Sequence, residues 1–437
     1  MKGIQKVVKE DLCIGCGTCY SACPFGAISL TKTDVFVPSI DAAKCDDCGL
    51  CEFSCPGFHV DYERFVPKED GKTRWNSLIG KYVDVYLGYA KDHYIRFMGS
   101  SGGMISAILL YALQNKIIDG ALVVSMKGIN SQIMIARSTE ELKKAMGSKY
   151  LPVPLNVGLR KILGMDGNFA VVGLPCHLLG LTRMTLLYPA LATKIVLRLG
   201  LFCGRGFDYH FVNSVLKRLG VHPTSVQEIR FRGYGWPGKV FVNCTSESGN
   251  RELHFDYSKL GSFSGGYLFL PKRCIFCPDH TAELADISFG DAWLKKIKQV
   301  DSQGTSLMIT RTALGDKILW GAVQDGHVKV SKSSVRDVIR SQYLQLDFHK
   351  LSLAARCSVA RTLGVKMPLI NIENTCERSI FTTFSSFVLI ATQTAYRIIK
   401  KLGVSEELPK PLVKICGMLH FLLGMTDFKL AIRDKLV

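Results

Sequence analysis

The stretch Cys13-Ile-Gly-Cys-Gly-Thr-Cys-Tyr-Ser-Ala-Cys-Pro24 recurs in its spacing as Cys45-Asp-Asp-Cys-Gly-Leu-Cys-Glu-Phe-Ser-Cys-Pro56. Both copies read C-x2-C-x2-C-x3-C-P, and they hold half of the 16 cysteines of this 437-residue chain. Three cysteines separated by two residues each can surround one face of an iron–sulfur cube, whereas the fourth lies too far along the chain to close the same cube. The repeat therefore predicts two clusters that exchange one ligand.

This spacing is that of bacterial two-cluster ferredoxins, in which the fourth cysteine of each run binds the other cluster. The first [4Fe-4S] cluster is therefore assigned to Cys13, Cys16, Cys19 and Cys55, and the second to Cys45, Cys48, Cys51 and Cys23. Zinc binding and disulfide formation are the alternatives, but zinc sites use two pairs of ligands and not two runs of four with a trailing proline. The first ten residues contain no apolar run typical of a secretory signal, which predicts the reducing cytoplasm as the location of the protein.

The charge of the chain is unevenly distributed. Residues 1–65 hold six Lys and Arg against nine Asp and Glu, a net charge of −3, whereas the whole chain carries +18. The remainder therefore carries +21, which favours anionic partners such as phosphorylated cofactors, anionic lipid or nucleic acid. Because the sequence contains no helix-turn-helix, zinc-finger or RNA-binding signature, we expect no nucleic-acid partner.

Composition and periodicity divide the chain into four parts. The pattern predicts a two-cluster ferredoxin-like domain at 1–66, a polar linker at 67–80, an α/β domain at 81–345, and a basic helical extension at 346–437. Within the third part, strands are predicted at 82–87, 120–125, 168–172 and 194–199, with a helix at 104–113. The predicted fold class is therefore α+β or α/β and multidomain, with a mixed α/β body between the ferredoxin domain and a C-terminal helical hairpin.

A second set of cysteines follows the predicted strands. Cys176 and Cys203 each come directly after a strand, and Cys274 and Cys277 form a C-x2-C pair. Because the carboxyl ends of parallel strands meet at one edge of a sheet, these four thiols could form a further four-thiolate site. A redox dithiol and simple burial are the alternatives for these cysteines.

The loop Gly99-Ser-Ser-Gly-Gly103 precedes the predicted helix at 104–113. Glycines let a backbone approach a ligand closely, and the free N–H groups at a helix N-terminus attract anions, so the loop suits a phosphate group. It matches neither the Walker A pattern nor G-x-G-x-x-G, and an ordinary N-terminal cap in which serine satisfies the free N–H groups explains it equally well.

The C-terminal part contains an uncharged stretch of 18 residues, 379–396, which is too polar for a membrane span because eight of its residues are Ser, Thr or Gln. Apolar residues at helical spacing form one stripe from Ile380 to Ala395 and another from Leu412 to Leu422, with lysines and arginine between them. This pattern predicts a basic amphipathic hairpin. It could dock on a membrane surface or on a partner subunit, but packing on the protein's own core is favoured because most amphipathic helices face a core.

Several segments, in order, resemble the coenzyme F420 hydrogenase/dehydrogenase beta-subunit family between about residues 80 and 320. They are Gly99–Gly103, Gly147–Tyr150, Gly173–Cys176, Leu201–Cys203, Phe231–Gly238, Arg273–Asp279 and Ala285–Trp293. The resemblance implies that the domain at 81–345 binds FAD and a third [4Fe-4S] cluster, the latter held by Cys176, Cys203, Cys274 and Cys277. It further implies contacts to FAD from Ser100, Ser101, Gly102, Gly103 and Lys149, and it assigns no catalytic residue.

The function implied is that of an iron–sulfur flavoprotein oxidoreductase. Hydride would pass between coenzyme F420 and FAD, and single electrons would pass through the [4Fe-4S] clusters to or from a partner such as ferredoxin. Flavin suits the position between the two because it exchanges electrons in pairs or singly. Two alternatives remain: a ferredoxin-fed reductase of another organic substrate on the same scaffold, and an electron-relay subunit of a larger complex that the C-terminal hairpin would contact.

Overall fold

The computed structural model describes residues 3–65, 73–246, 249–263, 267–371 and 380–401. The N-terminal part contains helices α1 (Ile4–Lys9), α2 (Thr18–Ala22) and α3 (Leu50–Phe53) and strands β1 (Ile28–Lys32), β2 (Phe36–Ile40) and β3 (His59–Val60). β1 and β2 pair as an antiparallel hairpin. Helices α2 and α3 occupy equivalent places in the two cysteine repeats, and each follows a glycine in the left-handed conformation.

The segment predicted as a linker, 67–80, is described from residue 73 onward. Strand β4 (Arg74–Asn76) there pairs antiparallel with β5 (Gly80–Tyr82). The last residues of the predicted linker therefore form a short hairpin that leads into the main body, and the first part of the linker lies outside the described residues.

The main body is built on an eight-stranded mixed sheet with the order β16-β6-β15-β14-β10-β9-β7-β8. Its strands are β6 (Asp84–Ala90), β7 (Gly120–Lys127), β8 (Asn130–Ala136), β9 (Phe169–Gly173), β10 (Ile195–Leu201), β14 (Ile287–Asp291), β15 (Ser306–Thr310) and β16 (Val328–Lys332). The four strands predicted from the sequence overlap β6, β7, β9 and β10, and the mixed α/β architecture of the body is confirmed.

Four neighbouring strands, β7, β9, β10 and β14, run parallel. Their carboxyl ends therefore lie at the same edge of the sheet, and β15, which is antiparallel to β14, starts there with Ser306 opposite Asp291. β6 also ends at this edge, because Gly88 pairs with Ser306. The loops that leave these strand ends are thus collected in one place.

Helices cover both faces of the sheet. The helices of the body are α4 (His93–Met98), α5 (Met104–Gln114), α6 (Thr139–Lys144), α7 (Gly158–Leu163), α8 (Pro175–Leu187), α9 (Pro189–Lys194), α12 (Lys272–Ile275), α13 (Lys295–Lys298) and α14 (Ala313–Gln324). On one face, α5 and α14 bury Ile108 and Leu319 in the largest apolar cluster. On the other face, α7 and α8 bury Leu159 and Leu178 in a second cluster that also includes Ala22 of the N-terminal part.

A smaller layer holds the three-stranded antiparallel sheet β11 (Val226–Arg230), β12 (Lys239–Ser246) and β13 (Gly249–Asp256). Helices α10 (Tyr209–Arg218) and α11 (Tyr257–Phe263) belong to this layer. Phe211 and Val240 lie in its apolar cluster.

The C-terminal part is helical, with α15 (Val335–Leu346), a π-helical turn (Asp347–Leu351), α16 (Leu353–Thr362) and α17 (Ile380–Lys401), and with the short strand β17 (Leu369–Ile370) beside β3. α17 packs against α16. Within the ranges described, none of the helices combines the length and apolarity needed to cross a membrane. The second helix predicted for the hairpin lies outside the described residues.

The apolar stripe predicted for α17 does not pack on the protein's own core, so the favoured orientation of this helix is wrong. Ile380, Phe384 and Phe387 are 86%, 54% and 47% exposed. The buried face instead carries polar and apolar side chains together, including Ser386 and Gln393. Gln393 Nε2 donates to the backbone carbonyl of Leu268 at 3.1 Å, so hydrogen bonding, which the apolar pattern does not register, contributes to the choice of face.

Candidate metal centres and cofactor cavity

The structure brings Cys55 to the first three cysteines of the chain. Cys16, Cys19 and Cys55 are buried, and Cys13 is half-buried. Burial is the main cause that raises the pKa of Cys19, and the nearby thiols of Cys16, Cys55 and Cys13 raise it further. Burial likewise raises the pKa of Cys13 to about 12. These thiols resist ionisation unless a positive centre compensates the charge, as the irons of a cluster would.

The second set meets nearer the surface. A hydrogen bond from the backbone of Leu50 lowers the pKa of Cys48, but desolvation and the neighbouring Asp46 and Cys23 raise it above its ordinary value. Cys23, from the first repeat, thus lies near Cys48 of the second, as the exchange of ligands requires. Cys48 is exposed, whereas Cys23 is buried. Backbone N–H groups point at sulfur in both sets: Ala27 N donates to Cys23 Sγ, and Gly57 N donates to Cys55 Sγ, each at 3.3 Å.

The remaining four cysteines of the prediction also converge. Burial is the largest cause that raises the pKa of Cys176. The nearby thiols raise it further, and they are those of Cys203, Cys16, Cys274 and Cys277. Cys176 follows β9 at the start of α8, Cys203 follows β10, and the C-x2-C pair is in and after α12. The parallel strands therefore bring two of these cysteines to one edge of the sheet, and α12 brings the other two to the same place.

In the part of the chain that the structure describes, no three His, Cys, Asp or Glu side chains meet closely enough to hold one metal ion. The three cysteine sets are wider groups. Ligands of a cube bind its separate corners and need not converge on a single atom.

A cavity of about 740 Å³ opens at the carboxyl edge of the sheet. One wall is the Gly99–Gly103 loop with the first turn of α5, and another includes Cys203 and the residues after it. Aromatic side chains, among them Tyr257 and Trp293, line it as well. Cys203 of the third set and the glycine loop therefore line one common space.

The residues predicted to contact a cofactor divide into two groups. Ser100, Ser101, Gly103 and Lys149 line the cavity, whereas Gly102 is buried behind its wall. Gly103 has φ 73°, and a Cβ there would stand 2.5 Å from the carbonyl oxygen of Ile95, so this turn requires glycine. Ser100 Oγ accepts a hydrogen bond from Ser148 N at 2.8 Å.

Lys149 holds its own loop together. Its Nζ donates to the carbonyl oxygens of Ala145, Met146 and Gly147, the last at 2.8 Å. Burial, followed by the charge of Arg230, lowers the pKa of Lys149 to about 7. All three ammonium protons are therefore used on backbone carbonyls, and a bound phosphate would have to take one of them over.

An ion pair that the sequence did not predict fixes the glycine loop. The guanidinium of Arg232, 1% exposed, binds both carboxylate oxygens of Asp291 at 2.9 and 3.1 Å and also donates to the carbonyl of Ser100. Trp236 Nε1 donates to the same carboxylate at 2.8 Å. Asp291 ends β14, so this bidentate pair joins the loop to the sheet edge. Both residues lie in segments that carry the family resemblance, which was the signal available.

The N-terminal part docks on the body through buried polar contacts. Asn156, which is 0% exposed, donates from Nδ2 to Thr18 Oγ1 at 2.8 Å and to the carbonyl of His177 at 3.0 Å. Its backbone N donates to the carbonyl of Cys16, and Ser21 Oγ donates to its carbonyl at 2.7 Å. The first cysteine set and the third therefore lie on the two sides of one seam.

Three family models match the chain. Two of them describe the beta subunit of coenzyme F420 hydrogenase/dehydrogenase: its N-terminal model matches residues 85–160, and its C-terminal model matches residues 166–335. The third, a 4Fe-4S dicluster domain, matches residues 12–58. The predicted N-terminal ferredoxin-type domain with two [4Fe-4S] clusters is thereby confirmed.

Among curated relatives, the coenzyme F420-dependent sulfite reductase of Methanocaldococcus jannaschii is 28% identical over 336 residues, which cover 72% of this chain and 46% of the reductase. This chain thus spans about half the length of that relative. The coenzyme F420 hydrogenase subunit beta of Methanothermobacter thermautotrophicus is 29% identical over 261 residues, covering 57% and 84% of the two chains. A chain of the F420-reducing [NiFe] hydrogenase complex from Methanosarcina barkeri superimposes with a TM-score of 0.51 at 24% identity, covering 68% of this chain and 98% of that one, and shares its fold.

Proposed function

Because this chain belongs to the coenzyme F420 hydrogenase/dehydrogenase beta-subunit family and carries a 4Fe-4S dicluster domain, we propose that it is an oxidoreductase of the coenzyme F420 type. It would exchange reducing equivalents between coenzyme F420 and a protein partner such as ferredoxin, with FAD and three [4Fe-4S] clusters as its cofactors. When bound, the flavin would supply the conversion between hydride and single electrons.

One observation carries this proposal. Cys176, Cys203, Cys274 and Cys277 come together, and Cys203 lines the same cavity as the Gly99–Gly103 loop. A third cluster held by these thiols would therefore adjoin whatever the cavity binds.

The cavity suits a flavin nucleotide in size and chemistry. Its volume lies within the usual range for cofactor sites. The first turn of α5 lines it, and no side chain caps that helix, so the free N–H groups of Met104, Ile105 and Ser106 would be donors for a phosphate. Arg232 and Asp291 would hold the loop in place for that contact.

The arrangement of cysteines supports an order for the three clusters. Cys176 of the third set lies near Cys16 of the first set, and the first set shares the N-terminal domain with the second. Cys48 of the second set is exposed. Electrons would therefore leave for a protein partner from the cluster of Cys45, Cys48, Cys51 and Cys23.

Two observations support coenzyme F420 as the substrate. The relatives at 28% and 29% identity both bear coenzyme F420 in their names. The chain beyond residue 65 also carries a net charge of +21, the difference between +18 for the whole and −3 for the N-terminal part. That charge favours the phosphate and acidic tail of the coenzyme.

The test is an anaerobic assay of the full chain reconstituted with iron, sulfide and FAD. Iron and flavin are counted first, and then the deazaflavin absorbance is followed with an artificial electron acceptor. We expect the absorbance to bleach or return as the coenzyme changes oxidation state. A fully loaded protein that leaves the absorbance unchanged and does not bind coenzyme F420 would point to another organic substrate, and a native protein without flavin would favour the electron relay.

A further inference from the structure

The side chain of Arg273 lies at the seam between the N-terminal domain and the main body. It is 1% exposed, belongs to α12, and directly precedes Cys274 of the third cysteine set. Its Nε donates a hydrogen bond to the carbonyl oxygen of Pro56 at 3.1 Å. Pro56 directly follows Cys55 of the first set. One guanidinium therefore connects the two loops that carry ligands of different clusters.

Both sets of thiols lie near Arg273. Cys274 and Cys277 of the third set are among the groups that interact electrostatically with its guanidinium. Cys16 of the first set, on the other side of the seam, is another such group.

The thiols of Cys274 and Cys277 and the phenol of Tyr62 are among the groups around this cation, and each of them is neutral when protonated. Its Nη2 is buried and, among the residues that the structure describes, has no hydrogen-bond partner. A buried cation without a counter-charge is unfavourable, because little solvent compensates it. A cube bound by four thiolates is an anion in both of its oxidation states, so two loaded clusters would supply the missing negative charge.

We infer that Arg273 is a positioning residue that raises the reduction potentials of two clusters together, the third one and the one held by Cys13, Cys16, Cys19 and Cys55. The inference rests on the proposed function, since that proposal assigns the third cluster. Reduction adds one electron to a cube, and a nearby cation in a poorly solvated site stabilises the added charge. Because one cation serves both clusters, it shifts both reduction potentials in the same direction.

Arg183 provides a matched control on the same seam. It is 3% exposed, and its Nη1 and Nη2 donate to the carbonyls of Cys55 and His59 at 2.7 and 2.9 Å. Arg183 therefore contacts only the loop of the first set. Arg273 also contacts that loop, but it is itself part of the loop that carries the third set. Removing the charge of Arg183 should affect the cluster of Cys55 alone.

The experiment is a redox titration of the full-length, cluster-loaded protein, poised with mediators and followed by electron paramagnetic resonance. Cys176→Ala and Cys48→Ala, which each remove the ligand of one cluster, assign the signals. We expect Arg273→Gln to lower two potentials and leave the third unchanged. We expect Arg183→Gln to lower one potential, and Arg273→Lys, which keeps a cation, to leave all three near those of the unaltered protein.

Other results of the titration would contradict the inference or the proposed function, and they can be told apart. Three clusters with unmoved potentials in Arg273→Gln, or a shift confined to one cluster, would overturn it. If Arg273→Gln does not retain its iron, Arg273→Lys decides: wild-type potentials support the role of charge, and two lowered potentials refute it. If the unaltered protein binds iron for only two clusters, the third cluster does not exist, and the proposed electron route is contradicted instead.

Discussion

Asn156→Ala should loosen the N-terminal domain from the body. The substitution removes two buried hydrogen bonds from Nδ2, worth about 1 kcal/mol each. It adds no full desolvation cost, because both acceptors keep a second partner: Thr18 Oγ1 lies 3.1 Å from Cys16 Sγ, and the carbonyl of His177 lies within α8. The void adds about 1 kcal/mol, and removal of the unpartnered Oδ1 returns about as much.

The net loss is therefore about 2 kcal/mol, which corresponds to roughly a 30-fold increase in the open population. Native-state hydrogen exchange of the cluster-loaded protein measures this open population locally. A local measurement is needed because a single unfolding free energy is not well defined for a cofactor-bound chain with several domains. We expect the backbone amides of Thr18–Ala22 to exchange about 30-fold faster.

Asn115→Ala is the matched control, since Asn115 also makes two hydrogen bonds from Nδ2 but is exposed. Surface changes of this kind usually cost under about 0.5 kcal/mol. If Asn156→Ala changes the exchange of α2 no more than Asn115→Ala does, the contacts of Asn156 do not hold the two parts together, and the reasoning from buried polar contacts is refuted.

Three further predictions address the site and the contacts of α17. Cys176→Ala should remove roughly one third of the bound iron, measured per chain, because it takes a ligand from one of three clusters. Lys149→Glu should reduce the flavin retained after gel filtration, because it places negative charge in the cavity wall beside the expected phosphate. Burial opposes ionisation of Asp34, but hydrogen bonds and charges from His210 and Lys400 lower its pKa to about 2. Its contribution to stability is therefore present above the ordinary pKa near 4 and is lost as the pH falls toward 2, so Asp34→Asn should flatten the acid limb of a thermal-stability profile.

Each of these predictions has an internal comparison. Cys244→Ala changes a buried cysteine outside the three sets and should leave the iron count unaltered; equal counts for Cys176→Ala and the unaltered protein would exclude Cys176 as a ligand. Lys143→Glu alters a half-exposed residue of α6 that pairs with Glu140, and this variant should retain flavin. Retention by Lys149→Glu as well would remove Lys149 from the site. Acid sensitivity that persists in Asp34→Asn would assign it to other groups.

The sequence predicted the elements whose signal is local. The cysteine spacing located the N-terminal domain, and apolar runs located strands near β6, β7, β9 and β10. The elements predicted for the body end with the strand at 194–199, whereas the region from 225 to 345 also contains α14 (Ala313–Gln324) and most of α15. The orientation of α17 could not be predicted, because its buried face depends on hydrogen bonds to residues more than 100 positions away.

The candidate site was predicted as far as each residue could be recognised alone. The convergence of Cys176 and Cys203 followed from the rule that parallel strands end at one edge. The Arg232–Asp291 pair was not predicted, because it joins residues 59 positions apart and depends on the order of the sheet. The bonds of Lys149 to three carbonyls were also not predictable, since they require the path of the loop from 145 to 149.

The seam explains why a ferredoxin-type domain can serve as part of this chain. Electron transfer needs clusters at a fixed, short separation. An apolar contact alone allows two domains to slide against each other, whereas buried polar contacts resist sliding, because a shift leaves donors or acceptors without partners. At this seam Gly17 adopts φ 81° with a Cβ position 2.7 Å from Val157, while Asn156, Arg183 and Arg273 hydrogen-bond across it. Close backbone approach and polar contacts that depend on register therefore fix the first cysteine set against the third, and they hold Arg273 between the two.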